Sequence, residues 1–339
     1  MNKIYQLLDE KYVKTYLAER ILPQYPEFVE IVKIKIKPWK KHIWHQTYHA
    51  VIEFSVSFKN SKGQIKVLPI FCSAHSDEPR KNVYDSLKFL WSHGFGKGFL
   101  TIPHPLYYSN YFRGTFYEGV EGQHLYYYIR ENNFSVIEKM VVQTAKWFSK
   151  LHALKVDNVK NFNEENSRIR TVFPGVAHIH ERIKKEYSRH YNFYLKSYDI
   201  FIKNEEDFLA SSPKRWMVHG DAHPENVIRM GENKIGVIDF TDLCLSDFAR
   251  DLGTFLQQLS FMCNRKIKDQ SYSQKVGEIF LHSYFAVSRE KYNDAVQKRI
   301  DNYYNWTSMR TATYFLLKHD AEPQRATLLI EEVRKKLKI

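Results

Sequence analysis

Ile4, Leu7, Leu8, Tyr12, Tyr16 and Leu17 recur at helical spacing, and the pattern predicts a helix over residues 2–20 that Pro23 and Pro26 end. Lys33-Ile34-Lys35-Ile36-Lys37 then alternates, as a strand with one wet face does. Its lysines, with Lys40 and Lys41, fit a solvated sheet edge, where lysine discourages pairing with another chain. Residues 48–58 and 64–72 are rich in Val, Ile, Phe and Tyr, and Asn60-Ser61-Lys62-Gly63 between them predicts a hairpin turn. Glu78–His93 returns to helical spacing, with Val83, Leu87, Leu90 and Trp91 on one face and His93-Gly94 at its end. Pro103 and Pro105 mark an extended link, and Phe112–Val120 is strand-like up to Glu121-Gly122.

Beyond Gly122 the period is mostly helical: Val136–Leu154, a long stretch at Ala177–Leu209, then Asp247–Met262, Gln274–Ser288, Lys291–Leu317 and Pro323–Leu337. One passage interrupts it. In Trp216–Asp251, Met217-Val218 leads into a loop, Val227-Ile228 resumes a strand, and Gly231-Glu232-Asn233 turns into Ile235–Ile238. The expected class is α+β: a small β-rich lobe, residues 1–117, joined without a linker to a larger helical lobe, residues 118–339. A ligand is expected in the cleft between the lobes.

Composition narrows this little. The 339 residues carry 51 Lys and Arg against 38 Asp and Glu, a formal charge of +13 spread along the chain. An anionic ligand fits such a charge, and so does plain solubility. Three cysteines without CxxC or metal-ligand spacing point to reduced thiols, and no apolar stretch is long enough for a signal core or a bilayer span. A soluble, cytoplasmic protein is expected. The aromatic residues follow core periodicity and no nucleic-acid motif is present, so a nucleic-acid partner is not expected.

The chemistry is concentrated in the interrupting passage. His219-Gly220-Asp221 opens the loop, Asn226 follows Asp221 by five residues, and Asp239 ends the second strand. The hairpin is expected to bring Asn226 and Asp239 together, with Asp221 on the approach. A carboxylate near an attacking hydroxyl and hard oxygen ligands for magnesium are what phosphoryl transfer requires. Any one of these residues is an ordinary turn former; all three in this order and spacing are not. His219 and His223 do not make a metal pair, because no third ligand is suitably placed.

HGDAHPEN at His219–Asn226 followed by IDF at Ile238–Phe240 resembles the aminoglycoside phosphotransferase and choline kinase family. PHPLYYS at Pro103–Ser109, FYEGVEGQHL at Phe116–Leu125, WFSKLHAL at Trp147–Leu154 and LSDFARDL at Leu245–Leu252 agree with it in order. The resemblance implies a two-lobed protein-kinase-like fold and transfer of the γ-phosphate of ATP, with Mg2+, to a hydroxyl of a small molecule such as a sugar, amino alcohol or aminoglycoside. By the same resemblance Asp221 is the catalytic base, Asn226 and Asp239 hold magnesium, His219 shapes the loop, and Asp251 is a buried carboxylate hydrogen-bonded to the loop's backbone. Phe116, Tyr117, Glu118, Gly119 and Val120 would form the hinge, whose backbone meets the adenine edge, with Glu118 and Glu121 stabilising it.

The small lobe departs from that pattern. The strand Lys66–His75 has no lysine near Phe71–Ser73, where the family's phosphate-binding lysine belongs, and no glycine-rich loop precedes residue 60. Gly94-Phe95-Gly96-Lys97-Gly98 follows a helix and reads as a turn. Lys66, Arg80 and Lys81 are the candidate substitutes, Lys66 first. A catalytically weak or inactive relative with a nucleotide-binding or scaffolding role is the competing expectation. Asp242 and Asp247 stay open between substrate contact and loop structure, as do the acceptor and the oligomeric state.

Overall fold

The helical pattern at residues 2–20 divides in two. Lys3–Leu8 is a 3-10 turn and Glu10–Arg20 (α1) an α-helix, because Asp9 between them is extended and its carboxylate accepts the Tyr12 amide at 2.7 Å. Five antiparallel strands follow, with a helix among them, in this computed structural model, which describes residues 2–269 and 271–339. The chain runs β1 (Phe28–Ile43), β2 (Tyr48–Asn60), β3 (Ile65–His75), then α2 (Lys81–Leu90) and the short β4 (Leu100–Thr101), which lies outside this sheet, then β5 (His104–Ser109) and β6 (Gly114–Glu118). The sheet order is β1-β2-β3-β6-β5, so β1 is an edge strand, and its Lys33, Lys35 and Lys37 are exposed as the alternation predicts. One sheet face packs on α1: Leu17, Ile52, Phe54, Ile70, Cys72 and Phe116 share one core. Burying each large apolar side chain stabilises it by roughly 1.5–3 kcal/mol.

The chain forms two units, Met1–Gln123 with Ile228–Thr241, and His124–Val227 with Asp242–Ile339. The sequence reading put the whole of 118–339 in one lobe. The hairpin of β9 (Val227–Arg229) and β10 (Ile235–Val237) instead carries residues 228–241 into the first unit. Its β10 runs parallel to β4, pairing Ile235 with Leu100 and Gly236 with Thr101, in a small sheet of order β4-β10-β9-β7 with β7 at Gln123–His124.

The second unit is mainly helical. Its elements are α3 (Leu125–Arg130), α4 (Phe134–His152), α5 (Val176–Glu186), α6 (Ser188–Ser211), α7 (Ala249–Lys266), α8 (Ser271–Val287), α9 (Asp294–Leu317) and α10 (Pro323–Leu337). The long pattern at Ala177–Leu209 is thus two helices, parted at Tyr187, where the backbone leaves helical angles (φ −140°, ψ 51°). A two-stranded ribbon, β8 (Trp216–Val218) with β11 (Cys244–Ser246), holds the ends of the interrupting passage together. Trp147 and Phe148 of α4 pack with Phe255 of α7 and Phe280 of α8 around it. Cys72, Cys244 and Cys263 are free and buried. No helix of the described residues is long and apolar enough to cross a membrane.

Candidate active site

The loop after β8 begins with His219 fully buried and Gly220 at φ 82°. A Cβ on Gly220 would stand 2.3 Å from the Asp242 carbonyl oxygen, so only glycine fits there. Asp251, at the start of α7, accepts the His219 amide at 2.7 Å and the Gly220 amide at 3.0 Å. His152 of α4 meets the same carboxylate at 3.1 Å and the Tyr284 hydroxyl of α8 at 2.8 Å, so three helices converge on the loop backbone. Burial works to raise the Asp251 carboxyl, but the His152 hydrogen bond and the His219 side outweigh it and hold it below its ordinary value. The His219 ring lies edge-on to Trp147 and Phe148, and its Nδ1 accepts the Asp221 amide at 3.3 Å.

Asp221 comes next. Its Oδ2 lies 3.3 Å from His223 Nε2 and 3.4 Å from Asn226 Nδ2, which also donates to the Asp221 carbonyl at 2.9 Å. His223 Nδ1 accepts the Glu225 amide at 3.3 Å as it caps the 3-10 turn Pro224–Asn226, which leaves Nε2 to carry the hydrogen toward Asp221. Burial acts to raise the Asp221 carboxyl; His223, His219 and Arg310 outweigh it and keep it low. Protein surrounds the carboxylate, yet 40% of its side chain stays open, into a cavity of about 660 Å³ also lined by Tyr126, Thr254, Arg265 and Arg310. An ionised, oriented, accessible carboxylate can take a hydroxyl proton.

Two acids left open by the sequence point elsewhere. Asp242 accepts Asn166 Nδ2 at 2.5 Å. Asp247 pairs with Arg299 at 2.8 Å and caps the Ala249 amide, and burial pushes its carboxyl up to about 6 despite that partner. Asp247 makes these contacts through Oδ1 alone, and its buried Oδ2 has no hydrogen-bond partner.

In the first unit Asp239 follows β10 in the left-handed region, at φ 64°, an uncommon backbone for a residue other than glycine. Its Oδ1 takes the Thr241 hydroxyl at 2.8 Å and the Thr241 amide at 3.4 Å, leaving Oδ2 outside these bonds. Burial, then Asp239, push the Tyr117 phenol up, so Asp239 acts on the sheet face that bears Tyr117. In the second unit, Asn226 spends its Nδ2 on Asp221, so its Oδ1 lies outside that bond; a carboxylate oxygen and an amide oxygen are each of the kind a hard divalent cation takes. Among the described residues no group of three His, Cys, Asp or Glu could hold a metal.

The hinge needs correction. Phe116, Tyr117 and Glu118 pair with β3 on one side and β5 on the other, and the Gly119 amide donates to the Pro69 carbonyl at 2.8 Å. The sheet itself takes the backbone groups assigned to an adenine edge, which moves that expectation on to Val120. The Phe116 side chain is in the core, and Glu118 accepts the Tyr25 hydroxyl at 2.7 Å with His104 at 3.8 Å. Phe71 stacks on Tyr117 with ring centroids 5.7 Å apart and planes 7° from parallel.

Lys66 is corrected too. It is exposed beside the β2–β3 turn, and His75, nine residues on at about 3.3 Å per residue, ends the strand some 30 Å away. Lys81 is paired with Asp85 at 2.8 Å. At the His75 end of the sheet the basic groups are others. His42, His49 and His75 form one rung across β1, β2 and β3, with ring centroids 6.5 and 4.6 Å apart, and Lys40 lies two positions along on the same face, level with Val51 and Ser73. A bulge between Pro38 and Lys40 sets that register. Arg80, 8% exposed at the start of α2, keeps a buried Nε without a hydrogen-bond partner, and its Nη1 lies 3.6 Å from Glu78. Burial, then Lys40, Arg80, His75 and His42, hold His49 down to about 4. No spacing rule flags this cluster; only the strand register assembles it.

Residues 52–278 match the phosphotransferase enzyme family APH. No curated protein matches the chain. Solved structures share its fold at low identity. The Plasmodium vivax ethanolamine kinase superposes with a TM-score of 0.55 at 12% identity, over 88% of this chain and 81% of that one. An aminoglycoside phosphotransferase solved with GDP and kanamycin gives 0.55 at 15%, over 95% and 99%. A spectinomycin phosphotransferase solved with ADP and spectinomycin gives 0.55 at 12%, over 96% and 94%. The fold is thus protein-kinase-like, with an antiparallel sheet unit and a helical unit, and the chain, matched over more than half its length, belongs to the APH phosphotransferase enzyme family.

Proposed function

We propose that the protein is an ATP- and magnesium-dependent phosphotransferase acting on a hydroxyl of a small molecule. The observation that carries this is Asp221, ionised, held through one oxygen by His223 and Asn226, and open to a cavity large enough for a small acceptor. The acceptor oxygen forms a bond to the γ-phosphorus as the bond from that phosphorus to the β–γ bridging oxygen breaks. The electron pair of the broken bond leaves with the nucleoside diphosphate, and the hydroxyl proton passes to Asp221. Asn226 Oδ1 and the Asp239 carboxylate would hold magnesium, which neutralises charge on the phosphate oxygens.

In this reading Arg80, His49 and His75, with Lys40 beside them, meet the phosphates in place of the strand lysine and of Lys66. Val120 replaces the rest of the expected hinge as the backbone contact to the base. The neighbours solved with ADP and with GDP support a purine nucleotide. The test is consumption of magnesium-ATP across hydroxylated small molecules, with Asp221→Asn as control. An Asp221→Asn enzyme that turns over at the wild-type rate ends the proposal.

One observation favours a second reading, a nucleotide-binding protein with weak or no turnover. The Phe71–Tyr117 stack and Ser73 occupy the β3 face where a lysine is expected. Calorimetric binding of magnesium-ATP, with no consumption on any acceptor, selects it.

A further inference from the structure

The cavity at Asp221 has an unexpected charge balance. Four cations, Arg265, Arg310, Lys318 and Arg325, face three carboxylates, Asp221, Glu225 and Glu322. Glu322 is committed to Lys318 and to Arg325, the latter at 2.5 Å. Glu225 lies 4.0 Å from His223. Among the described residues no carboxylate comes within 4.0 Å of the Arg310 or Arg265 guanidinium, and the Arg310 guanidinium makes no hydrogen bond. Neither makes a direct ion pair, although Asp221 and Asp242 act on Arg310, and Arg265 on Glu322, from farther away.

Arg310 is also held in place. It lies on α9, four residues after Trp306, whose ring is 1% exposed, and its guanidinium sits 5.0 Å from that ring. Arg250 approaches the same ring at 5.5 Å, but it donates to the Gly220 and Asn166 carbonyls. Two guanidinium groups on one indole repel each other, and only Arg310 reaches the cavity with its donors unspent. Burial, partly opposed by Asp221, pulls the Arg310 pKa down. A polycation would add charge beside Arg310 and Arg265, and a neutral sugar would leave the half-buried Arg310 guanidinium without an ion-pair partner.

We propose that the acceptor is an anion, a hydroxyl compound bearing a carboxylate or a phosphate, whose charged group is held by Arg310 while its hydroxyl lies at Asp221. Arg265 assists from the same wall. This rests on the phosphotransferase reading above and narrows it to a substrate class unlike the aminoglycosides bound by the structural neighbours. A guanidinium suits either anionic group through paired N–H donors, and the screen below distinguishes the two.

The experiment offers four arms to the full chain with magnesium-ATP: hydroxy acids, sugar phosphates, neutral sugars and aminoglycosides. In parallel, calorimetry measures inorganic phosphate binding to the wild type, Arg310→Gln and Arg310→Lys. Turnover is expected in one of the two anionic arms. Arg310→Gln should raise KM for that acceptor roughly tenfold to a hundredfold, with a smaller change in kcat, and Arg310→Lys should recover part of it. The same variant should remove one phosphate-binding event. Turnover confined to neutral or polycationic acceptors overturns the proposal, as does phosphate binding that Arg310→Gln leaves unchanged. If no acceptor consumes ATP but phosphate binding still depends on Arg310, the anion site stands and the phosphotransferase reading falls.

Discussion

Asp251 accepts the His219 amide at 2.7 Å and, through its other oxygen, the Gly220 amide at 3.0 Å. Its side chain is fully buried, with His152 on it as well. Asp251→Asn cannot serve two amides and the imidazole in the same way, and it leaves buried donors unpaired. The variant is expected to lose about 3–5 kcal/mol of stability. Urea unfolding followed by tryptophan fluorescence measures the loss; a midpoint equal to wild type contradicts the role given to this carboxylate.

Asp221 should separate chemistry from stability. Asp221→Asn keeps the shape of the side chain and removes the proton acceptor. Turnover is expected to fall roughly 10²- to 10⁴-fold while ATP affinity stays within about twofold. Single-turnover kinetics together with equilibrium nucleotide binding give the two numbers.

Asp239→Asn keeps a residue that tolerates the left-handed backbone at φ 64° and removes the charge. The magnesium concentration for half-maximal turnover is expected to rise about tenfold or more. A magnesium titration at saturating ATP decides it, and an unshifted midpoint places the metal elsewhere.

The histidine rung gives a pH dependence of definite sign. His49 titrates near 4 in the folded protein because of burial and of Lys40, Arg80, His75 and His42. A free imidazole titrates at about 6.5. Between these values the unfolded chain binds a proton that the folded chain refuses, so stability falls as pH drops through the window. Above it the group contributes nothing either way. His49→Gln removes that proton uptake, so its melting temperature should fall less than wild type between pH 6.5 and pH 4.5. Parallel curves would show that His49 does not meet this charge cluster.

Much of this was legible in the chain. The helices of the second unit and the β2–β3 hairpin follow from apolar period, because their burial is one-sided. Asp221, Asn226, His219 and Asp251 are carried by one passage, so their spacing encodes their relation. Arg310 was not legible: it comes from α9, far along the chain, and nothing in its neighbourhood differs from a solvated helix face until α9 packs on α7. His152 sat inside a recognised segment, yet its bond to Asp251 depends on how α4 meets α7. Lys66 lies on the matching strand, but the length of that strand sets it about 30 Å from the His75 end.

The bulge near Trp39 has a consequence for how such a protein can change. Trp39 is the extra residue there, since Pro38 faces Ile52 and Lys40 already faces Val51. Removing it would make the pairing regular while Lys40 stayed level with Val51 and Ser73, and His42 with His49 and His75. In this hairpin a codon can be lost at the bulge without changing the ligand chemistry of the strand ends.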